Sequence, residues 1–247
     1  MTPPKDNLEQ FLQVRNVTKT SADLYFYGYI VSNWWGAFDD CDQYPEKIKN
    51  FLDTVKDKDL NIYVNSGGGN VFAGMAIYNM LKRHKGHKVA YNDGLMASIS
   101  SVIPLAADEI IMPANSIYML HKPSIRIDGN ADDMRGAAKL LDRLQQGLTS
   151  MYMEWTKPQV VSSQIDELIN AESWLSAKEV TQYFNFTVSE KSDIAACVPY
   201  GGFYRNIDNL AQSAVKARAE CLNSIKNKEK QLLQTKLNLI KLKGVSR

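Results

Sequence analysis

Little in this 247-residue chain could staple a fold or hold a metal. Its three cysteines, Cys41, Cys197 and Cys221, are far apart, and none sits in a CxxC or a cysteine–histidine cluster. An odd count of scattered thiols argues against a disulfide framework and a structural zinc site. No metal and no cofactor are expected. No apolar run approaches the ~18 residues needed to span a bilayer. The opening "MTPPKDNLEQ" has no apolar core of a signal peptide. The expectation is a soluble, cytoplasmic chain with no membrane partner. A net charge of +2 singles out no partner class, and no nucleic-acid module is evident. Internal repeats and low-complexity segments are also missing.

With 45% hydrophobic and 23% charged residues, the chain suits one globular domain with an appendage. Charge marks the appendage. From Asn206 to Arg247 nine Lys or Arg face three acids, leaving the tail at +6 and the rest at −4. There Leu222, Ile225, Leu232, Leu233, Leu237 and Ile240 recur at helical steps. The expected organisation is an N-terminal segment (1–20), a catalytic domain (21–200) and a basic helical C-terminal extension (201–247).

Within the domain, "LYFYGYI" (Leu24–Ile30) reads as a strand, followed by a long loop. Apolar spacing predicts a helix over Glu46–Lys56, a buried strand over Asn61–Asn65, and a helix through Val71, Met75, Ile77, Tyr78 and Leu81. "KVAYN" is a further strand. The order strand, glycine turn, helix, strand is a βαβ unit and implies a parallel sheet. "EIIMP" and "SIYMLH" are two more strands. A long helix runs from Asp132 to Trp155, with Ala137, Leu140, Leu141, Leu144, Leu148, Met151, Tyr152 and Trp155 on one stripe. Ser176 and Glu179 form a capping box that starts another short helix.

Three weak chemical signals stand out. In "DGLMASISSVIPLAAD" (Asp93–Asp108), Gly94 marks a strand end and Ser98 stands at a strand-to-helix turn. A hydroxyl there lies beside free backbone N–H groups able to hold an oxyanion. Ser100 and Ser101 read as capping or packing residues. On local sequence alone, small residues for close helix–sheet packing are the plainer reading. A serine nucleophile needs a base. His84 and His87 lie in the solvated "KRHKGHK", whereas His121 ends an apolar strand before Pro123. A half-buried histidine satisfied by backbone is the plainer alternative. Third, "NSGGGN" (Asn65–Asn70) is neither GxxxxGK(S/T) nor GxGxxG. It reads as a phosphate cradle or as an oxyanion-binding strip.

In series these signals become specific. "VNSGGGNVFAGMAIYN", "GLMASISS", "PANSIYMLHKP" and "AESWLSAKEV" resemble the motif series of ClpP, the proteolytic subunit of Clp protease, over roughly Leu24–Val188. The "DGxxASxxSVI" pattern, the "GNADDMR" loop and the Glu-x-Trp before "LSA" are most similar to the phage branch, the ClpP-like head maturation proteases. The resemblance implies an α/β fold, the ClpP/crotonase-type spiral of ββα units, here with a C-terminal helical extension. It implies a serine endopeptidase with Ser98 as nucleophile, His121 as general base and Glu172 as third triad member, Asp166 being the fallback. It implies oxyanion donors on Gly68 and Ile99, with Gly67 and Gly69 in the substrate-binding strip. It also implies a homo-oligomer of stacked rings, with the long helix as a handle between rings. Capsid, scaffold or portal proteins are the implied substrates, cut in the host cytoplasm or the assembling prohead. A housekeeping role with a Clp-type ATPase is the alternative. A crotonase-fold acyl-CoA enzyme and an inactive assembly scaffold are readings from other classes. Two departures stand out: Gly67 replaces the family's proline, and "YFN" (Tyr183–Asn185) replaces "YGL".

Overall fold

A computed structural model describes residues 17–37 and 42–190. All but the last residues of the 1–20 segment, the 201–247 extension with its helical pattern, and the three cysteines lie outside them. The strands are β1 (Ser21–Phe26), β2 (Asp59–Ser66), β3 (Lys88–Ala97), β4 (Glu109–Pro113), β5 (Ile117–Leu120), β6 (Ser173–Ser176) and β7 (Thr187–Ser189). The helices are α1 (Pro45–Val55), α2 (Val71–Arg83), α3 (Ala131–Met153), α4 (Ser162–Asn170) and α5 (Ala177–Tyr183).

The sheet runs β1-β2-β3-β4-β7, all parallel, and β5 adds a second partner to β3. β6 returns antiparallel on β5. Alternation in β2 explains its placement. Leu60, Ile62 and Val64 are buried in one core with Ala73, Ile77 and Leu81 of α2. On the other sheet face Tyr25, Tyr63 and Tyr91 stand in register on three strands and stack with centroids 4.8 and 5.0 Å apart. Ser176 with Glu179 closes the expected box that starts α5, and Asn70, a cap the sequence reading does not include, accepts the Ala73 N–H at 2.9 Å to start α2.

Three differences from the sequence reading matter. β1 stops at Phe26, and Ile30, expected to end that strand, instead bridges Gln43 and Gly69. β3 does not end at Gly94 but continues to Ala97. It changes partners on the way, pairing β4 through Val89–Tyr91 and β5 through Leu95–Ala97. Finally, the stripe on α3 packs on the core only through its C-terminal half, Leu148, Met151, Tyr152 and Trp155. Of this helix, about 35 Å long, only Leu148, Thr149 and Tyr152 are buried, and Leu140 is 40% exposed. The N-terminal turns of α3 therefore stand clear of the rest of the described chain.

Candidate active site

Three parallel strands deliver the candidate residues to one edge of the sheet. β2 ends at Ser66 and runs into Gly67–Gly69, β3 ends at Ala97 and runs into Ser98, and β5 ends at Leu120 and runs into His121. The carboxyl ends of parallel strands are where ligands bind in such folds. Ala97 and Met119 are neighbours across β3 and β5, so Ser98 and His121 leave the sheet side by side. His121 Nε2 lies 2.7 Å from Ser98 Oγ. On the other side of β5, Leu120 pairs with Ser173 of antiparallel β6. One further step of that register sets Glu172 opposite His121.

Backbone strain collects at the same place. Among the described residues only Lys56, Ser98 and Glu172 have positive φ without being glycine, at 52°, 56° and 50°. Such conformations cost about 1–3 kcal/mol each and persist where the surroundings enforce them. Ser98 opens the 3-10 turn Ser98–Ser101 directly from an extended Ala97, which throws its side chain off the sheet end. Glu172 makes the matching turn between α4 and β6.

Electrostatics suit a base. Burial pulls the His121 pKa below its ordinary value, and the charge of Glu172 pulls it back up. The imidazole is therefore neutral near pH 7, with an anionic partner in reach once it takes a proton.

Gly68 faces the serine. Its φ is 94°, and a Cβ placed there would lie 2.7 Å from Ser98 Cβ and 3.1 Å from Ile99 N. Only glycine leaves room for a substrate at that wall. The strip is anchored from behind. Ile30 N–H donates to Gly68 O at 2.8 Å, and Asn70 N–H to Ile30 O at 2.7 Å. Ser66 Oγ donates to Gly28 O at 2.6 Å and accepts the Gly68 N–H at 3.1 Å. The expected oxyanion donor Gly68 thus already has a local acceptor, a feature the sequence did not signal. The Ile99 amide lies in the first turn, where a helix supplies no acceptor.

The remaining candidates fall elsewhere. Asp166 accepts from Thr149 Oγ1 at 2.7 Å, tying α4 to α3. The carboxylate whose charge acts on His121 is that of Glu172. His84 bonds Lys58 O, and His87 lies between Asp108 and Glu109, both remote in the fold from this edge. Ser100 caps the turn: its hydroxyl accepts the Ala97 N–H at 3.0 Å and lies 2.7 Å from the Ser66 carbonyl. Ser101 is more than a packing residue. Its hydroxyl bonds Ser98 O and Tyr152 Oη. No group of His, Cys, Asp and Glu able to hold a metal occurs among the described residues. No helix among them is long and apolar enough to cross a membrane.

Residues 47–184 match the family model for Clp protease. The chain is 33% identical over 129 residues to "ATP-dependent Clp protease proteolytic subunit 2" of Treponema denticola. It is 33% identical over 128 residues to "ATP-dependent Clp protease proteolytic subunit 3" of Rhodococcus jostii. Each match takes in 51% of this chain, and 63% and 62% of the respective relative. A ClpP1 point mutant from Listeria monocytogenes superposes with a TM-score of 0.57 at 23% identity, covering 69% of this chain and 92% of that one. The spiral α/β fold is shared with that structure.

Proposed function

The chain belongs to the Clp protease family, and from that premise we propose that it is a serine endopeptidase with Ser98, His121 and Glu172 as its triad. The observation that carries the reading is the 2.7 Å contact between Ser98 Oγ and His121 Nε2. In the proposed reaction His121 takes the Ser98 proton as the oxygen attacks a peptide carbonyl. Glu172 holds the imidazole in one tautomer and offsets the imidazolium charge. The Ile99 amide and the Gly68 amide, released from Ser66, donate to the tetrahedral oxyanion. His121 then returns the proton to the leaving amine, and water repeats the cycle on the acyl-enzyme. Gly67 and Gly69 offer side-chain-free backbone along which a substrate strand lies. A crotonase-type acyl-CoA reaction has no use for this hydroxyl–imidazole–carboxylate series, and an inert scaffold has none either.

Assembly into stacked rings is part of the proposal. It is supported by α3, whose N-terminal turns leave Met134 and Leu140 exposed on the described chain. Two settings divide the remaining possibilities. The motif likeness to head maturation proteases favours capsid, scaffold or portal proteins as substrates. The printed names of the relatives, ATP-dependent subunits, favour work beside a Clp-type ATPase. Incubation of the purified chain with a phage scaffold protein, and separately with a folded substrate plus a Clp ATPase and ATP, separates them. Discrete scaffold cleavage without ATP supports head maturation. ATP-dependent processive degradation supports the second setting. Loss of all cleavage in Ser98→Ala is required of both.

A further inference from the structure

The turn that carries Ser98 is held from beneath by hydroxyl groups that the proposed reaction does not use. Ser101 Oγ lies 2.5 Å from the Ser98 carbonyl and 2.7 Å from Tyr152 Oη. Tyr118 Oη donates to the Ser101 carbonyl at 2.7 Å. Ser101 and Tyr118 are fully buried and Tyr152 nearly so.

The proton inventory fixes the direction of these bonds. A serine hydroxyl has one proton. A carbonyl cannot donate, so the Ser101 proton goes to Ser98 O. Tyr152 must then be the donor to Ser101 Oγ. Burial pushes the phenols of Tyr118 and Tyr152 well above their ordinary pKa, so both remain donors at any working pH. The order is Tyr152 O–H to Ser101 Oγ, and Ser101 O–H to Ser98 O=C.

The far end of that order reaches the reacting atoms through a rigid unit. The Ser98 carbonyl and the Ile99 N–H belong to one planar peptide, and the described chain has no cis bonds. The two groups therefore point in opposite directions. Drawing the carbonyl down towards Ser101 and α3 turns the Ile99 N–H the other way. Gly68 stands close to that amide: a Cβ there would lie 3.1 Å from Ile99 N. The turn's own backbone bonds hold that carbonyl only weakly. The turn is a four-residue 3-10 turn with weaker hydrogen-bond geometry than an α-helix, and it begins at a strained φ of 56°.

We propose that Tyr152 and Ser101 form a buried hydroxyl relay that aims the Ile99 amide at the oxyanion. Both are positioning residues, acting through the Ser98–Ile99 peptide without touching substrate. The inference rests on the serine-protease reading above.

The test compares wild type, Ser101→Ala, Tyr152→Phe and the double variant. Turnover of a fluorogenic peptide is normalised to sites titrated with a fluorophosphonate, so unfolded chains are not counted. Affinity for a peptide aldehyde, whose adduct carries an oxyanion, is measured beside it. Each single variant should lose kcat roughly tenfold, less than the hundredfold or more for deleting an oxyanion donor itself. KM should hold, and aldehyde affinity should fall with kcat. The double variant should be no slower than Ser101→Ala, because Tyr152 acts only through Ser101. The acid limb of the pH–rate profile should not move. Should Ser101→Ala fail to fold, Tyr152→Phe, which removes one oxygen, decides alone. Variants that keep wild-type kcat and aldehyde affinity but melt at lower temperature would overturn the relay and leave a structural role. So would losses confined to KM. A wild type inert to both peptide and fluorophosphonate would overturn the protease reading and the relay together, whereas an active wild type matched by its variants overturns the relay alone.

Discussion

Glu172 lies opposite His121 in the continued register of β5 and β6, and it does so at a φ of 50°. A strained backbone at the acid and another at Ser98 bracket the one histidine of the sheet edge. The geometry gives Glu172 one electrostatic effect that can be measured. Its charge raises the His121 pKa while burial lowers it.

Glu172→Gln removes the raising influence and leaves the burial. The His121 pKa should therefore fall further below its ordinary ~6.5. The acid limb of kcat/KM, where activity appears as His121 loses its proton, should shift to lower pH. The plateau rate should drop by orders of magnitude, up to about 10⁴-fold, as the wrong tautomer is populated. Asp166→Asn should do neither. It weakens the bond from Thr149 and should cost about 1 kcal/mol of stability, read by denaturant unfolding. A rate collapse in Asp166→Asn with an unmoved Glu172→Gln would exchange their roles.

Gly68 and Gly69 should fail differently when changed to alanine. At Gly68 the new methyl meets Ser98 Cβ at 2.7 Å and the Ala97 carbonyl at 2.8 Å, at the wall of the site. Gly68→Ala should lose most of its fluorophosphonate reactivity with a smaller loss of stability than Gly69→Ala. At Gly69 the methyl meets the Ile30 carbonyl at 2.1 Å, against backbone that cannot yield. Gly69→Ala should lower the melting temperature sharply. Thermal unfolding beside labelling rates separates the two.

Assembly should depend on the outer part of α3. Met134→Glu with Leu140→Glu places charge on side chains exposed in the described chain, so the fold should survive while the sedimenting species shrinks. Leu148 is a poor choice for that purpose. It is 5% exposed, and a charge there should destabilise the subunit itself by several kcal/mol. A wild type that sediments as a compact, active monomer would remove the assembly role.

Much of this site was legible in the sequence because its residues sit where strands end. The period-2 pattern of β2, the glycines after it and the proline after His121 are local signals, and each marks an end correctly. Gly94 misled, because a glycine inside a strand also serves where the strand changes partners, and β3 trades β4 for β5 there. The strand β6 is four residues long and exists only as a partner for β5, so nothing local announces it. For the same reason Glu172 could be reached by family resemblance but not by periodicity. Ser101 and Tyr152 are 51 residues apart and meet only in the folded core. A tyrosine in an apolar stripe carries no mark of the hydroxyl it will find.

The most direct test is intact-mass analysis after treatment with a fluorophosphonate, with the adduct mapped by peptide sequencing. Wild type should take one adduct per chain, on Ser98, at a rate that falls as His121 is protonated. Folded Ser98→Ala should take none and hydrolyse no peptide. An adduct on any other residue of the wild type, or full labelling of Ser98→Ala, would contradict Ser98 as the nucleophile.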